Sequence, residues 1–172
     1  PTDDSQWFAT GQIDGSLMFE AASPSNVSHP FSLPRDRGTI AHWLKPDRVR
    51  NMVAYYESDG DGTDGRNGFG GNDQLEIHTG IWTGLWSFTY QDGGLETPNR
   101  RWITGGTVTA DVWTHVAATW DRLGDIVLYV NGEEVARADL STATFAGIAT
   151  TTTRFGLTNN NQLDRSWAGR MD

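Results

Sequence analysis

A glycine-rich stretch from Ser58 to Asp73 carries the densest group of side chains that could do chemistry. Six of its residues offer oxygen ligands: Asp59, Asp61, Asp64, Asn67, Asn72 and Asp73. Hard oxygens at alternating positions suit Ca²⁺, which takes about six to eight oxygen ligands. A long stretch without secondary structure is often functional, although a solvated loop that uses Asp and Gly for turns is the alternative. The sequence predicts a Ca²⁺ site here, with Asp59, Asp61, Asp64, Asn72 and Asp73 as ligands.

Two familiar motifs begin in this stretch, and neither supports its usual function. Asp59–Thr63 supplies the first three ligand positions of an EF-hand loop, but glycine stands at the twelfth position, where an EF-hand has Glu. Gly60–Gly65 has the spacing G-x-G-x-x-G. Its aspartates would repel a pyrophosphate, and no helical pattern follows to offer N–H groups, so dinucleotide binding is excluded.

Paired carboxylates for sugar hydrolysis are the next candidate. Glu57, Asp59 and Asp61 alternate along the chain, but only one is Glu, and the run enters a glycine-rich stretch that would not hold two carboxyls rigidly about 5 Å apart. The histidines, at positions 29, 42, 78 and 115, lack the spacing of a local metal site. The motifs G-x-S-x-G and H-E-x-x-H are absent. The sequence therefore predicts a protein that is not an enzyme.

Tryptophan is abundant, with 8 residues in the chain. Trp82 and Trp86 flank a Thr-Gly pair, and Trp102 follows two arginines. An exposed indole offers an apolar face and a polar edge, and it stacks on sugar rings. We predict Trp82, Trp86 and Trp102 as ligand-binding residues, with packing in the core as the alternative for each.

Short β-rich runs separated by Gly, Asp, Asn and Pro recur along the whole chain, and no helical period persists. Asn131-Gly132 between two such runs is typical of a two-residue hairpin turn. The pattern predicts an all-β antiparallel sandwich, with a barrel as the second choice. The predicted strands are Ser16–Glu20, Gly38–Lys45, Met52–Glu57, Gln74–Thr79, Leu85–Tyr90, Trp113–Trp120, Asp125–Val130, Glu133–Arg137, Thr151–Gly156 and Trp167–Met171.

Composition excludes several classes of function. The chain has 172 residues, no cysteine and a formal net charge of −9, so disulfide scaffolds and thiol chemistry are excluded. An acidic surface disfavours nucleic acids and anionic membranes. No apolar run approaches the roughly 20 residues of a membrane span.

Three blocks resemble the laminin G-type, concanavalin A-like jelly rolls. The segment Thr39–Asp47 resembles an early core strand of that family, Trp113–Asp121 followed by Leu128–Gly132 resembles its central block, and Gly169–Asp172 resembles the start of its last segment. The resemblance implies a non-catalytic, secreted or cell-surface adhesive module, frequently with one Ca²⁺ at a sheet edge. Because lectins, glycosidases and receptor modules share this sandwich, the fold alone does not give the function.

The end of the sequence adds two expectations to the resemblance. Asp172 matches an Asp that can bind Ca²⁺ in related jelly rolls, together with the first strand, here near Glu20. A further Ca²⁺ candidate is the Asn159–Asn161 run with Asp164, where a turn is the alternative. In the family a closing strand follows Gly169–Asp172. We expect an open groove in its place, which a strand from another copy can fill.

Two function classes follow. The domain spans residues 16–172, and residues 1–15 form a leader that could donate the missing strand. The sequence favours the first class, in which the protein is a structural or adhesive subunit that polymerises with its own copies and is stabilised by Ca²⁺. In the second class it is a Ca²⁺-dependent, lectin-like module that binds a glycan or a surface protein.

Overall fold

The computed structural model describes residues 7–8, 11–20, 27–30, 33–58, 74–79, 84–92, 100–142, 152–156 and 165–172. Within these ranges the regular structure is β, and no helix is long and apolar enough to span a membrane. The strands are β1 (Trp7–Phe8), β2 (Ser16–Phe19), β3 (Val27–His29), β4 (Arg37–Pro46), β5 (Met52–Ser58), β6 (Gln74–Thr79), β7 (Leu85–Gln91), β8 (Arg100–Thr107), β9 (Thr114–Asp121), β10 (Asp125–Val130), β11 (Glu133–Asp139), β12 (Thr152–Phe155) and β13 (Gly169–Met171).

Two antiparallel sheets form the molecule, which confirms the predicted jelly-roll sandwich. The seven-stranded sheet has the order β1-β2-β13-β4-β9-β10-β11, and the six-stranded sheet has the order β3-β12-β5-β6-β7-β8. Every strand predicted from the sequence is present, with ends that differ by at most two residues. The strands β1, β3 and β8 were not predicted.

The hairpin between β10 and β11 shows why the local sequence was informative. Asn131 and Gly132 have φ angles of 52° and 84°, as a type I′ turn requires at both central positions. The Asn131 side chain also accepts a hydrogen bond from the backbone N–H of His115, at 2.9 Å. The turn is therefore fixed to the adjacent strand β9 as well as to its own hairpin.

Large aromatic side chains fill the space between the sheets. Trp86 packs against Trp167 with ring centroids 6.4 Å apart, and Phe88 packs against Trp120 at 6.1 Å. The indole N–H of Trp120 donates to the carbonyl of Pro34, at 2.9 Å. Burial of this much aromatic surface is the main force that joins the two layers.

The last segment of the chain is paired on both sides over its own length. β13 pairs with β2 on one side and with β4 on the other. The backbone of Asp172 continues this pairing, since it exchanges two hydrogen bonds of 2.9 Å with Trp43. The leader also pairs within its own chain, because Trp7 lies opposite Leu17. The pairing of the last segment covers only Trp43–Pro46 of β4, so the expectation of an open groove where a closing strand would follow stays a prediction.

Candidate functional site

The strand β7, which lies next to the edge strand β8 of the six-stranded sheet, separates two kinds of side chain onto its two faces. Its alternating aromatic residues Trp86, Phe88 and Tyr90 belong to the core between the sheets. The residues between them, Ser87, Thr89 and Gln91, lie on the outer face and are only 0%, 0% and 1% exposed. The outer face of β7 is therefore a row of buried polar groups.

Two of these groups have unused hydrogen-bonding capacity. Ser87 Oγ and Thr89 Oγ1 form no hydrogen bond with any group in the described part of the chain. A buried hydroxyl without a partner costs about 1–3 kcal/mol. Because both residues are 0% exposed, the chain itself covers these hydroxyls, and only neighbouring exposed side chains can meet a ligand.

The neighbouring strand β8 places a large aromatic side chain beside this row. Trp102 lies opposite Thr89, Arg100 lies opposite Gln91, and Thr104 lies opposite Ser87. Directly opposed residues of antiparallel strands present their side chains on the same face, about 4.5–5.5 Å apart at Cβ. Trp102 is 52% exposed. The exposed indole of Trp102 therefore borders the row of buried polar residues on β7.

The strand register extends this arrangement across the sheet. One row runs through the Cα partners Arg154, Tyr56, Glu76, Thr89 and Trp102, from β12 to β8. Four strand spacings of about 4.8 Å give this row a length of about 19 Å. We call this surface, from Arg154 to Trp102 with the flanking Arg100 and Ser87, the outer face.

A pair of glycines lets β8 approach the other sheet. A Cβ on Gly105 would lie 2.5 Å from the backbone oxygen of Val135 on β11, and Gly106 has a φ of +65° with Val130 against it. Glycine in a strand marks such a close backbone approach. The Gly105-Gly106 pair and the preceding Arg100-Arg101 gave β8 the appearance of a loop in the sequence, so the strand that carries Trp102 was missed.

The predicted ligand-binding tryptophans have different outcomes. Trp102 is exposed, as expected. Trp86 is 0% exposed, so the expectation that it is available to a ligand is wrong, because it points into the core with Phe88 and Tyr90. Trp82 lies outside the described residues. The Trp-x-Phe-x-Tyr alternation of β7 was the signal that could have assigned Trp86 to the core.

Most of the predicted Ca²⁺ ligands also lie outside the described residues, namely Asp59, Asp61, Asp64, Asn72 and Asp73, as does the Asn159–Asp164 candidate. Among the residues that the structure describes, no group of three or more His, Asp or Glu side chains is placed to hold a metal ion. The Ca²⁺ site stays a prediction.

Asp172 is described, and its carboxylate has backbone partners. Asp172 Oδ2 accepts hydrogen bonds from the backbone N–H groups of Gln12, at 2.6 Å, and Ile13, at 2.8 Å. These donors satisfy a negative charge without a metal ion. In this structure the side chain fastens the segment that precedes β2 to the end of β13.

Glu57, the first of the acidic residues considered above for sugar hydrolysis, lies in the interior of the protein. Glu57 is 0% exposed. Its carboxylate accepts hydrogen bonds from the Tyr55 hydroxyl, at 2.6 Å, and from the backbone N–H of Leu33, at 3.1 Å. Burial, and then the negative charge of Glu57, raise the pKa of the Tyr55 phenol. Glu57 therefore serves the packing between the sheets.

Comparison with protein families agrees with this architecture. The model of the concanavalin A-like lectin/glucanases superfamily named Laminin_G_3 matches residues 19–172. The chain therefore belongs to this superfamily, as a laminin G-like domain. Comparison with curated protein sequences gives no match.

Several solved structures share the fold. Domain 4 of an extracellular arabinanase from Geobacillus stearothermophilus, in complex with arabinotriose, is 20% identical, with a TM-score of 0.68 over 96% of this chain and 71% of that one. A heptameric SAP-like pentraxin from Limulus polyphemus is 14% identical, with a TM-score of 0.65 over 91% and 72%. Domains LG4-5 of the mouse laminin alpha1 chain are 14% identical, with a TM-score of 0.67 over 95% of this chain and 42% of that one. At these identities the likeness shows the fold alone.

Proposed function

We propose that this domain is a non-catalytic, extracellular carbohydrate-binding module and that the outer face is its binding surface. The observation that carries the proposal is the position of Trp102, half-exposed and directly opposite Thr89. A sugar ring has an apolar face that stacks on an aromatic ring and hydroxyls that need hydrogen-bonding partners. The exposed indole of Trp102 offers the first, and the partly exposed Arg100 and Thr104 on the same face of β8 offer the second.

The comparisons support the proposal by analogy. The arabinanase domain was solved with arabinotriose, an oligosaccharide. The same relative belongs to an extracellular enzyme, and laminin G-like domains are typically extracellular. The alternative is a module of the same fold that binds a protein instead of a glycan.

The test is a glycan array probed with the wild-type domain, Trp102→Ala and Leu123→Ala. Leu123 is a matched control because it is also apolar and exposed, at 82%, in the turn between β9 and β10. We expect the wild type and Leu123→Ala to bind the same glycans and Trp102→Ala to lose them. An array without any bound glycan, or equal binding by all three proteins, would overturn the proposal.

Ca²⁺ is a separate part of the proposal, and it rests on the oxygen-rich sequence between Ser58 and Asp73. A ligand that binds only the folded state raises the melting temperature. We expect Ca²⁺ to raise the melting temperature of the wild type and EDTA to reverse the change. Alanine at Asp59, Asp61 and Asp64 should remove the response. A melting temperature that is the same in Ca²⁺ and EDTA would refute the Ca²⁺ site.

Polymerisation by strand exchange is the second hypothesis. It would require β1 to leave β2 of its own chain and pair with β2 of a neighbouring copy. The short β1 at the sheet edge favours such an exchange, whereas the opposite edge strand, β11, carries charges that oppose strand addition. Light scattering tests it: a mass above the monomer that falls when residues 1–12 are deleted supports the hypothesis, and a monomer refutes it.

A further inference from the structure

A cavity with mostly apolar walls lies between the two sheets. The strands β2, β4 and β13 of one sheet and β3 and β12 of the other contribute to its walls. Its volume is about 370 Å³, and the residues that line it are Gly15, Leu17, Val27, His42, Phe155, Met171 and Asp172. A cavity of about 150 Å³ with apolar walls binds benzene, and ligand pockets in proteins begin at about 300 Å³. The cavity therefore has room for an aromatic ring with a short chain.

The walls of this cavity are accessible to a ligand. Leu17, Val27 and Phe155 pack against the core and remain partly exposed. His42 is partly exposed as a residue, although its Nε2 is closed to solvent and has no hydrogen-bond partner in the described part of the chain. The imidazole thus offers a ligand its ring surface and not that nitrogen. Covering these apolar groups removes them from water, which favours binding.

One wall of the cavity is aromatic. The ring of Phe155 meets the imidazole of His42 edge-on, with centroids 5.6 Å apart and planes at 87°. Tyr55 lies behind both, with its centroid 5.4 Å from Phe155 and 5.9 Å from His42. Aromatic rings attract one another in edge-to-face and offset arrangements. An aromatic ligand would extend this cluster, so it is favoured over an aliphatic chain of the same volume.

The charge beside the cavity is negative. Asp172 is the only acidic or basic residue other than His42 in the lining given above. Its carboxylate accepts two backbone hydrogen bonds through Oδ2, whereas a carboxylate has about four acceptor positions. Burial, and then the charge of His115, lower the pKa of His42 to about 4, so the imidazole is uncharged at neutral pH. The site therefore attracts a cation and repels a carboxylate or a phosphate.

We propose that this cavity binds an aromatic ammonium compound, with the ring between the sheets and the ammonium group beside the Asp172 carboxylate. The site is separate from the outer face, because Phe155 and Arg154 are successive residues of β12 and project from opposite faces of the sheet. The inference goes beyond sugar binding and does not depend on it.

Three compounds of similar shape and different charge test the site by calorimetric titration: phenylbutylamine, phenylbutanol and phenylbutanoate. Val27→Trp fills the cavity, and Val112→Trp is its matched control, because Val112 is 47% exposed and does not line the cavity. Asp172→Asn removes the charge and keeps an oxygen that can accept the two backbone hydrogen bonds. Asp111→Asn, in the segment between β8 and β9, is its control. Circular dichroism and the melting temperature verify that each variant is folded.

For the wild type we expect the amine to bind about fivefold more tightly than the alcohol, the gain typical of a partly exposed ion pair, and the acid to bind most weakly. Val27→Trp should lose all three compounds, and Asp172→Asn should lower the affinity for the amine to that for the alcohol. Both controls should behave as the wild type does. Failure of the amine to bind the wild type, or a preference for the amine that survives in Asp172→Asn, would overturn the proposal.

A measurement on the wild type alone decides the location of the site if Val27→Trp does not fold. In two-dimensional NMR spectra of the ¹⁵N-labelled domain, the amine should shift the amides of Leu17, Phe155 and Met171 and leave the indole N–H of Trp102 unchanged. Binding of the amine with shifts only at other residues would overturn the assignment to this cavity.

Discussion

Trp102 lies directly opposite Thr89 on the neighbouring strand, and this pairing joins the exposed indole to a row of buried polar groups. The relationship depends on register. A slip of one residue between β7 and β8 would turn Trp102 into the core and Ile103 to the outside. The candidate site is therefore a product of the same pairing that builds the six-stranded sheet.

The register of β8 depends on Gly105, which has no side chain. Gly105→Ala would place a Cβ 2.5 Å from the backbone oxygen of Val135, and overpacking of this kind costs about 1–3 kcal/mol. We expect a lower melting temperature and weaker sugar binding, because β8 must shift. Gly124→Ala is the control, since its new Cβ would meet atoms only at 3.7–3.9 Å. Equal stability of the two variants would contradict the account of β8.

Removal of the Asp172 carboxylate should release the segment before β2. Asp172→Ala deprives the N–H groups of Gln12 and Ile13 of their acceptor, and we expect a loss of about 1–2 kcal/mol. Hydrogen exchange at those two amides should accelerate, whereas exchange within β4 and β9 should not. Glu133→Ala, which removes an exposed carboxylate from β11, should leave both amides protected. Unchanged exchange at Gln12 and Ile13 in Asp172→Ala would contradict the contact.

The buried Tyr55–Glu57 pair should stabilise the interior cooperatively. Tyr55→Phe removes the hydroxyl that donates to Glu57 at 2.6 Å, with an expected loss of about 1–3 kcal/mol of unfolding free energy. Glu57→Gln should cost at least as much, because it also weakens the bond from Leu33. In urea unfolding, the double variant should be less destabilised than the sum of the single variants. Strict additivity would show that the hydrogen bond contributes nothing.

Because of His42, the protein should become less stable in mildly acidic solution. Burial, and then the charge of His115, lower the pKa of His42 from 6.5 to about 4. Between these two values the unfolded chain binds a proton that the folded chain does not, so stability falls as the pH falls from about 6.5 to 4. At about 1.4 kcal/mol per pKa unit, the loss reaches about 3 kcal/mol.

Urea unfolding at several pH values measures this effect. His42→Gln should remove most of the dependence between pH 6.5 and 4, whereas His115→Gln should keep most of it, because burial is the larger cause. An identical pH dependence in the wild type and His42→Gln would assign the effect to other groups.

Local sequence patterns predicted most of the fold. Asn131-Gly132 predicted its turn because both residues tolerate positive φ. Short β-rich runs bounded by Gly, Asp, Asn and Pro predicted most of the other strands. The strand β8 was missed because Gly105 and Gly106 serve a contact with another sheet, and nothing in the local sequence reveals that contact.

The candidate site was predicted less completely than the fold. Trp102 was a candidate because of its residue type, but its partner Thr89 follows only from the pairing of two strands. Glu57 was considered as an acid for catalysis, whereas its partner Leu33 lies 24 residues away in the chain. The contacts of Asp172 span 159 residues or more. Such pairings depend on topology, which the local sequence does not specify.

The most direct test of the account is a two-dimensional NMR titration of the ¹⁵N-labelled domain with the glycan that binds most strongly on the array. The account predicts that the largest shifts occur at the indole N–H of Trp102 and at the amides of Thr89 and its neighbours on β7 and β8. Residues on the exterior of the other sheet, such as Thr119 and Tyr129, should not shift. Shifts that concentrate on that other sheet, with Trp102 unchanged, would contradict the central claim that the outer face is the binding surface.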